Sequence, residues 1–333
     1  MDLRAKDLRL SPGGGIQADS DSVLSSVELI DQDTPIRRDR LRSISHTMMS
    51  KLGVAGLKGQ AGQNELLSAV WCGDLETTQV LLALGIDKDS IGQHPRMMTT
   101  VGVISLAAQC GHDAIVSALI TAGSDIEGRQ FPYSPLADAA STGHTGVVKI
   151  LLAAGAEVDP GDGRRPALLS AARAGAIGAA QALLAAGANV HGFYDGKTPL
   201  LAAIDAQASG IVKILLAAGA DTELEQDGRT ALLVAVTLGS STIVQRLVDA
   251  SANIEARSMG KTPLQLASKL GHRKIVKILC FAGALTTTEN TLQTARASGK
   301  MRIDKALREL VLWRRRTQKR VEEWLLDCDG LTD

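Results

Sequence analysis

Aromatic side chains are scarce in this chain: Phe, Tyr and Trp together make up 2% of its 333 residues. Large rings dominate the packing of a conventional single core, so one big globular domain is disfavoured. Ala and Leu must do the packing instead, and apolar residues still amount to 45%. Net charge is also lacking. The 36 Lys and Arg balance 36 Asp and Glu, which leaves no global field to draw the chain to nucleic acid or a membrane surface. Cysteine is sparse, and Cys72, Cys110, Cys280 and Cys328 show no C-x-x-C spacing. This favours a reducing, intracellular compartment with all four thiols free. Met1 to Leu10 is charged rather than apolar, so no signal peptide is expected. The Ala-rich stretch from Pro166 to Val190 is interrupted by Gly175, Gly178 and Gly187, whereas a membrane span wants about 20 uninterrupted apolar residues. A cytoplasmic protein without membrane insertion is expected.

What the chain does have is a register with a period of 32 residues. It reads Gly111-His112, Gly143-His144, Gly175-Ala176, Gln207-Ala208, Gly239-Ser240 and Gly271-His272. Ile-Val or a close variant follows each pair after two residues, then a Leu-rich stretch. A second Gly closes it at Gly123, Gly155, Gly187, Gly219 and Gly283, with Ser251 in the one gap. A fixed period of this length means stacked supersecondary units. An earlier unit ends its first half at Gly73, and six extra residues lie in the connection that follows it.

Within a unit the local chemistry predicts two short helices. Ser134-Pro135, Thr198-Pro199 and Thr262-Pro263 each pair a capping hydroxyl with a Pro suited to the first helical turn. The first Gly supplies a left-handed helix end. A second helix runs to the second Gly. A connection of ten to twelve residues, marked by turn formers such as Asp195-Gly196 and Asp227-Gly228, leads to the next unit. Residues 1–61 share none of this and are expected to be disordered. Three parts result: a non-repeat segment 1–61, seven repeats over 62–289, and a degenerate capping repeat with a long charged helix over 290–333.

The stretch Gly260-Lys-Thr-Pro-Leu-Gln-Leu-Ala-Ser-Lys-Leu-Gly-His-Arg-Lys-Ile-Val-Lys-Ile-Leu-Cys-Phe-Ala-Gly-Ala284 resembles an ankyrin repeat. Asp195 to Ile204 with Ile211 to Ala220 is nearly as good a match. The resemblance implies an all-α solenoid of helix–turn–helix units joined by hairpin loops, the fingers. It also implies protein binding through those fingers and the concave helix face. Three departures stand out. Gln207 and Ser251 replace left-handed glycines, which suggests local distortion. The His that the family often places after Thr-Pro-Leu is Leu169, Leu201, Leu233 or Gln265 here.

Candidate chemistry is thin. Gly192-Phe-Tyr-Asp-Gly-Lys-Thr198 resembles a phosphate loop, but three residues separate its glycines where the motif needs four. His112, His144 and His272 fall in the repeat slot, and His46, His94 and His191 have no ligand spacing. Hence no catalytic group, metal or cofactor is expected. Two charge ladders follow the fingers. One is acidic (Glu127, Asp159, Glu223, Glu255, with His191 the exception) and one basic (Arg165, Lys197, Arg229, Lys261, with Tyr133 the exception). They read either as mutually paired hairpins or as a strip that orients a partner.

The aromatics are more suggestive. Phe131, Tyr133, Phe193 and Tyr194 all lie in fingers beside Arg129, Arg165 and Lys197. Aromatic and Arg side chains are the usual interface anchors, and packing between neighbouring fingers is the competing reading. Met97 and Met98 in the long first connection offer an adaptable contact. Arg38-Asp-Arg-Leu-Arg-Ser-Ile-Ser45 suits a basophilic kinase at Ser43 or Ser45. Arg314 to Arg320 suits nuclear import. Taken together, the expectation is a non-enzymatic, monomeric scaffold or adaptor for a protein or peptide. A regulatory or inhibitory subunit of an enzyme, and a nuclear regulator, are the alternatives.

Overall fold

A computed structural model describes residues 40–41, 43–48, 50, 53, 59–93, 100–161, 163–225, 227–284 and 308. Two compact units are distinguished, residues 1–107 with 117–124 and residues 108–116 with 125–333. In the first, helix α1 (Gln60–Cys72) ends at left-handed Gly73 and is followed by α2 (Leu75–Ala83). Asp74 caps α2 by accepting from the Thr77 N–H at 3.0 Å. The long first connection contains an antiparallel pair, β1 (Ile91–Gln93) against β2 (Thr100–Gly102). Gly92 lies so close to α1 that a Cβ there would sit 2.1 Å from Leu67 Cδ1. Met97 and Met98 lie outside the described residues.

The non-repeat segment departs from expectation. Its described residues 40–41 and 43–48 are helical. Leu41 and Ser45 are buried, and Arg40 Nε lies 2.7 Å from Glu76 Oε2 on α2. The expectation of disorder is corrected for these residues: they dock on the first repeat. The spacing Leu41, Ile44, Met48 supplies the apolar face that makes docking favourable. The weak pattern at Val23 to Ile30 lies outside the described residues.

Helices α3 (Val103–Cys110) and α4 (Asp113–Thr121) form the next pair. In the second unit five pairs follow: α5 (Pro135–Thr142) and α6 (Thr145–Ala153), α7 (Ala167–Ala174) and α8 (Ile177–Ala185), α9 (Pro199–Asp205) and α10 (Ser209–Ala217), α11 (Ala231–Leu238) and α12 (Ser241–Asp249), α13 (Pro263–Leu270) and α14 (Arg273–Phe281). First helices pack on first helices, α5 on α7 on α9 on α11 on α13, and second helices do the same.

The core explains the missing aromatics. Leu136, Leu168, Leu200, Leu232 and Leu264 are all buried, as are Ala139, Ala171, Ala203, Ala235 and Ala267, each 32 residues from the next. The alanines let neighbouring helices approach. Each buried Leu contributes about 1.5–3 kcal/mol. A second row, Leu151, Leu183, Leu215, Leu247 and Leu279, does the same in the second helices.

Both glycine replacements keep the repeat geometry, which corrects the expected distortion. Gln207 takes φ 54° and Ser251 φ 63°. The Gln207 N–H reaches Ile204 O and the Ala208 N–H reaches Ala203 O, both at 2.9 Å, the pattern made around Gly143. The hydroxyls of Ser134, Thr198 and Thr262 cap their helices as expected, the last in a full capping box with Gln265. Leu169, Leu201 and Leu233 are buried where the resemblance implies His, so apolar packing replaces hydrogen bonding there. The region read as a degenerate capping repeat lies outside the described residues beyond Ala284, Arg308 excepted.

Candidate functional site

Five fingers begin with a carboxylate or amide that folds back on its own backbone. Asp87, Asp125, Asn189, Asp221 and Asn253 each accept from the N–H two residues on, at 2.8–3.0 Å. This side-chain turn fixes the start of the hairpin. Its signal, a D-x or N-x pair after the second Gly, was legible and was missed in the reading of motifs.

The acidic ladder has a definite task. Glu127 accepts from the Glu157 N–H at 2.8 Å, Asp159 from the Asn189 N–H at 2.7 Å, and Glu223 from the Asn253 N–H at 2.9 Å. Each carboxylate therefore ties its finger to the next, thirty residues on. These three serve the backbone rather than the basic ladder, which corrects the expectation of mutual pairing for Glu127, Asp159 and Glu223. Glu127 also lies 3.5 Å from Arg164 Nη2, with both residues buried, and its carbonyl accepts from Arg164 Nη1. Arg164 is the important cation that the sequence reading passed over. At the tips, Asp195-Gly196, Asp227-Gly228 and Met259-Gly260 all have positive φ, as a two-residue type I′ hairpin requires.

The candidate anchors divide into two groups. Arg165 lies over the Tyr133 ring at 4.6 Å and the Tyr194 ring at 5.4 Å, within the range of a cation–π contact. Its Nη2 donates to the Tyr133 hydroxyl at 3.3 Å. Three consecutive fingers are thereby joined through one guanidinium. Phe193, beside Tyr194, is 66% exposed, and Phe131, two residues before Tyr133, is half-buried. The other cations are occupied: Arg129 pairs with Glu157 at 3.0 Å, and Lys197 pairs with Asp205 on α9. At the slot equivalent to Lys197, Lys261 has Lys269 for a neighbour, and a side-chain hydrogen bond with Lys269, followed by its like charge, lowers the Lys261 pKa below the ordinary lysine value.

The remaining candidates are placed as follows. In the phosphate-loop look-alike, Tyr194 and Lys197 form a bridge across the turn, Thr198 caps α9 and Lys197 faces Asp205; the repeat accounts for every one of these residues. His144 bonds Gln109 O at 3.1 Å and covers Gly111, where a Cβ would lie 2.4 Å from its ring. Ser43 is exposed, while Ser45 is buried in the docked helix, so only Ser43 is open to modification in this conformation. Cys72, Cys110 and Cys280 are in no disulfide among the described residues. The basic run 314–320 and Cys328 lie outside the described residues. Among the described residues no helix is long and apolar enough to cross a membrane, and no group of three or more His, Cys, Asp or Glu is placed to share a metal ion.

Comparison with known proteins fits this architecture. A family model of ankyrin repeats (3 copies) matches residues 66–162, 104–193, 157–226 and 200–290. No curated protein sequence matches. Among solved structures, the human ASB11 ankyrin repeat domain is similar at a TM-score of 0.57 and 25% identity, over 65% of this chain and 96% of that one. Ankyrin repeats are in general protein–protein interaction modules, typically without catalysis. With its 32-residue register, left-handed helix ends, capped helix pairs and finger hairpins, the chain belongs to the ankyrin-repeat family.

Proposed function

We propose that this protein is a scaffold or adaptor whose partner docks on the fingers before α5, α7 and α9. One observation carries the reading. Tyr133, Arg165 and Tyr194 lock three successive fingers together, and they leave Phe193 largely exposed at the edge of that rigid patch. Preorganised aromatic and Arg groups lose little entropy on binding, which is what makes such residues anchors. Tyr133 and Tyr194 act here as the support, and Phe193 as the contact.

A photo-cross-linking residue at position 193 tests this, with one at Ser117 on α4 as the comparison. Partner adducts should form from position 193, and Phe193→Ala with Tyr194→Ala should weaken binding by at least about tenfold. Circular dichroism should show the double variant folded. Equal adducts from both positions, or unchanged affinity in the double variant, would place the contact elsewhere. Assaying the captured partner's activity with and without the array distinguishes an adaptor from an inhibitory subunit.

A further inference from the structure

We infer that the Arg165 cluster is a receptor for a carboxylate, so that the partner segment is a peptide carrying Asp or Glu next to an apolar residue. This rests on the finger reading above and specifies the chemistry of that site. The cations of the patch are not equivalent. Arg129, Arg164 and Lys197 each face a carboxylate of the chain itself, Glu157, Glu127 and Asp205 respectively. Among the described residues, Arg165 has no such partner. Its hydrogen bond goes to a neutral phenol, and its Nε is buried with no acceptor.

A guanidinium set over two rings has lost part of its hydration, and an arginine stays charged. Loss of hydration strengthens the attraction to an incoming anion. The fork geometry favours a planar carboxylate over a single oxygen. The Tyr133 hydroxyl, once it accepts from Arg165, still has its own proton to donate to the same anion. Phe193 supplies the adjacent apolar contact. Lysine in that slot would lack both the fork and the ring stacking.

The test is selection of a displayed random peptide library on the immobilised full-length protein, then titration of the recovered peptide as a synthetic, labelled probe. Enriched peptides should share an Asp or Glu at a fixed position beside an apolar residue. Changing that acid to its amide, or Arg165→Gln in the protein, should each weaken binding at least about tenfold, and the two changes together should cost little more than either. Arg165→Lys and Tyr133→Phe should give intermediate losses, and they decide the matter if Arg165→Gln fails to fold. Peptides that need Phe193 and Tyr194 but share no acid, and bind Arg165→Gln equally, would overturn the carboxylate assignment and leave the finger site standing. Peptides indifferent to Phe193→Ala with Tyr194→Ala would overturn the finger reading itself. An empty selection would overturn the peptide as the occupant.

Discussion

Replacing Glu127 with Ala should be the most damaging single change to any carboxylate of the acidic ladder. The side chain makes two links: Oε1 accepts from the Glu157 N–H at 2.8 Å and Oε2 lies 3.5 Å from Arg164 Nη2. Glu127 and Arg164 are each only 8% exposed. Breaking a buried pair costs about 3–5 kcal/mol, because the surviving group loses its counter-charge while it stays buried. The orphaned Glu157 N–H adds to this, while the retained bond from Arg164 to the Glu127 carbonyl offsets part of it. A net loss of about 3–4 kcal/mol is expected, a large share of a typical folding free energy. Asp159→Ala removes a single bond to an exposed N–H and should cost only about 1 kcal/mol. Equilibrium urea unfolding followed by circular dichroism reads both. Glu127→Leu with Arg164→Met should recover most of the loss, since an apolar pair of similar volume leaves no stranded charge. A Glu127→Ala cost under about 1 kcal/mol, or one equal to that of Asp159→Ala, would refute the reasoning, because burial would then not be the deciding factor.

Two further changes probe other parts of the array. Leu41→Ala should destabilise the first unit by about 2–5 kcal/mol, as emptying a buried Leu site does, and deletion of residues 1–58 should lower its melting temperature; an unchanged melting curve for the deletion would show that the 40–48 helix contributes nothing by docking. Gln207→Gly should be neutral or slightly stabilising, since relief of about 1 kcal/mol of left-handed strain is offset by the extra entropy of an unfolded glycine. Gly111→Ala, at the same slot, should cost clearly more because its Cβ would meet the His144 ring at 2.4 Å; chemical denaturation of both variants checks the order, and His144→Ala should restore part of the second loss.

Much of this fold is legible because its physics is local and repeats. A hydroxyl before Pro, a glycine that must turn left-handed, and Leu and Ala 32 residues apart each act within a few residues and recur along the array. What stayed hidden depends on partners distant in sequence. The docked helix is obscured by the charges from Arg37 to Arg42, and a buried serine such as Ser45 reads as a surface residue. The aromatic cluster was visible as composition. That Arg165, and not Arg129 or Lys197, stands at its centre was not, because Glu157 and Asp205 neutralise the other two from a neighbouring finger and from a helix end. The acidic ladder showed in sequence too, but its acceptors face backbone N–H groups, which no residue type announces.

Those N–H groups give the repeat a property that composition alone would not. Between Glu127 and Glu157, Asp159 and Asn189, and Glu223 and Asn253, a carboxylate must find one particular amide thirty residues away. A single inserted residue would move that amide out of reach and turn the side chains between to other faces, whereas most substitutions on the finger surface would leave it in place. The link thus acts as a gauge of chain length and is blind to most of the letters it spans. At His191, where the slot holds an imidazole, no bond joins it to the Asp221 N–H among the described residues. There the gauge is absent, and the span from His191 to Asp221 goes without this check on its length.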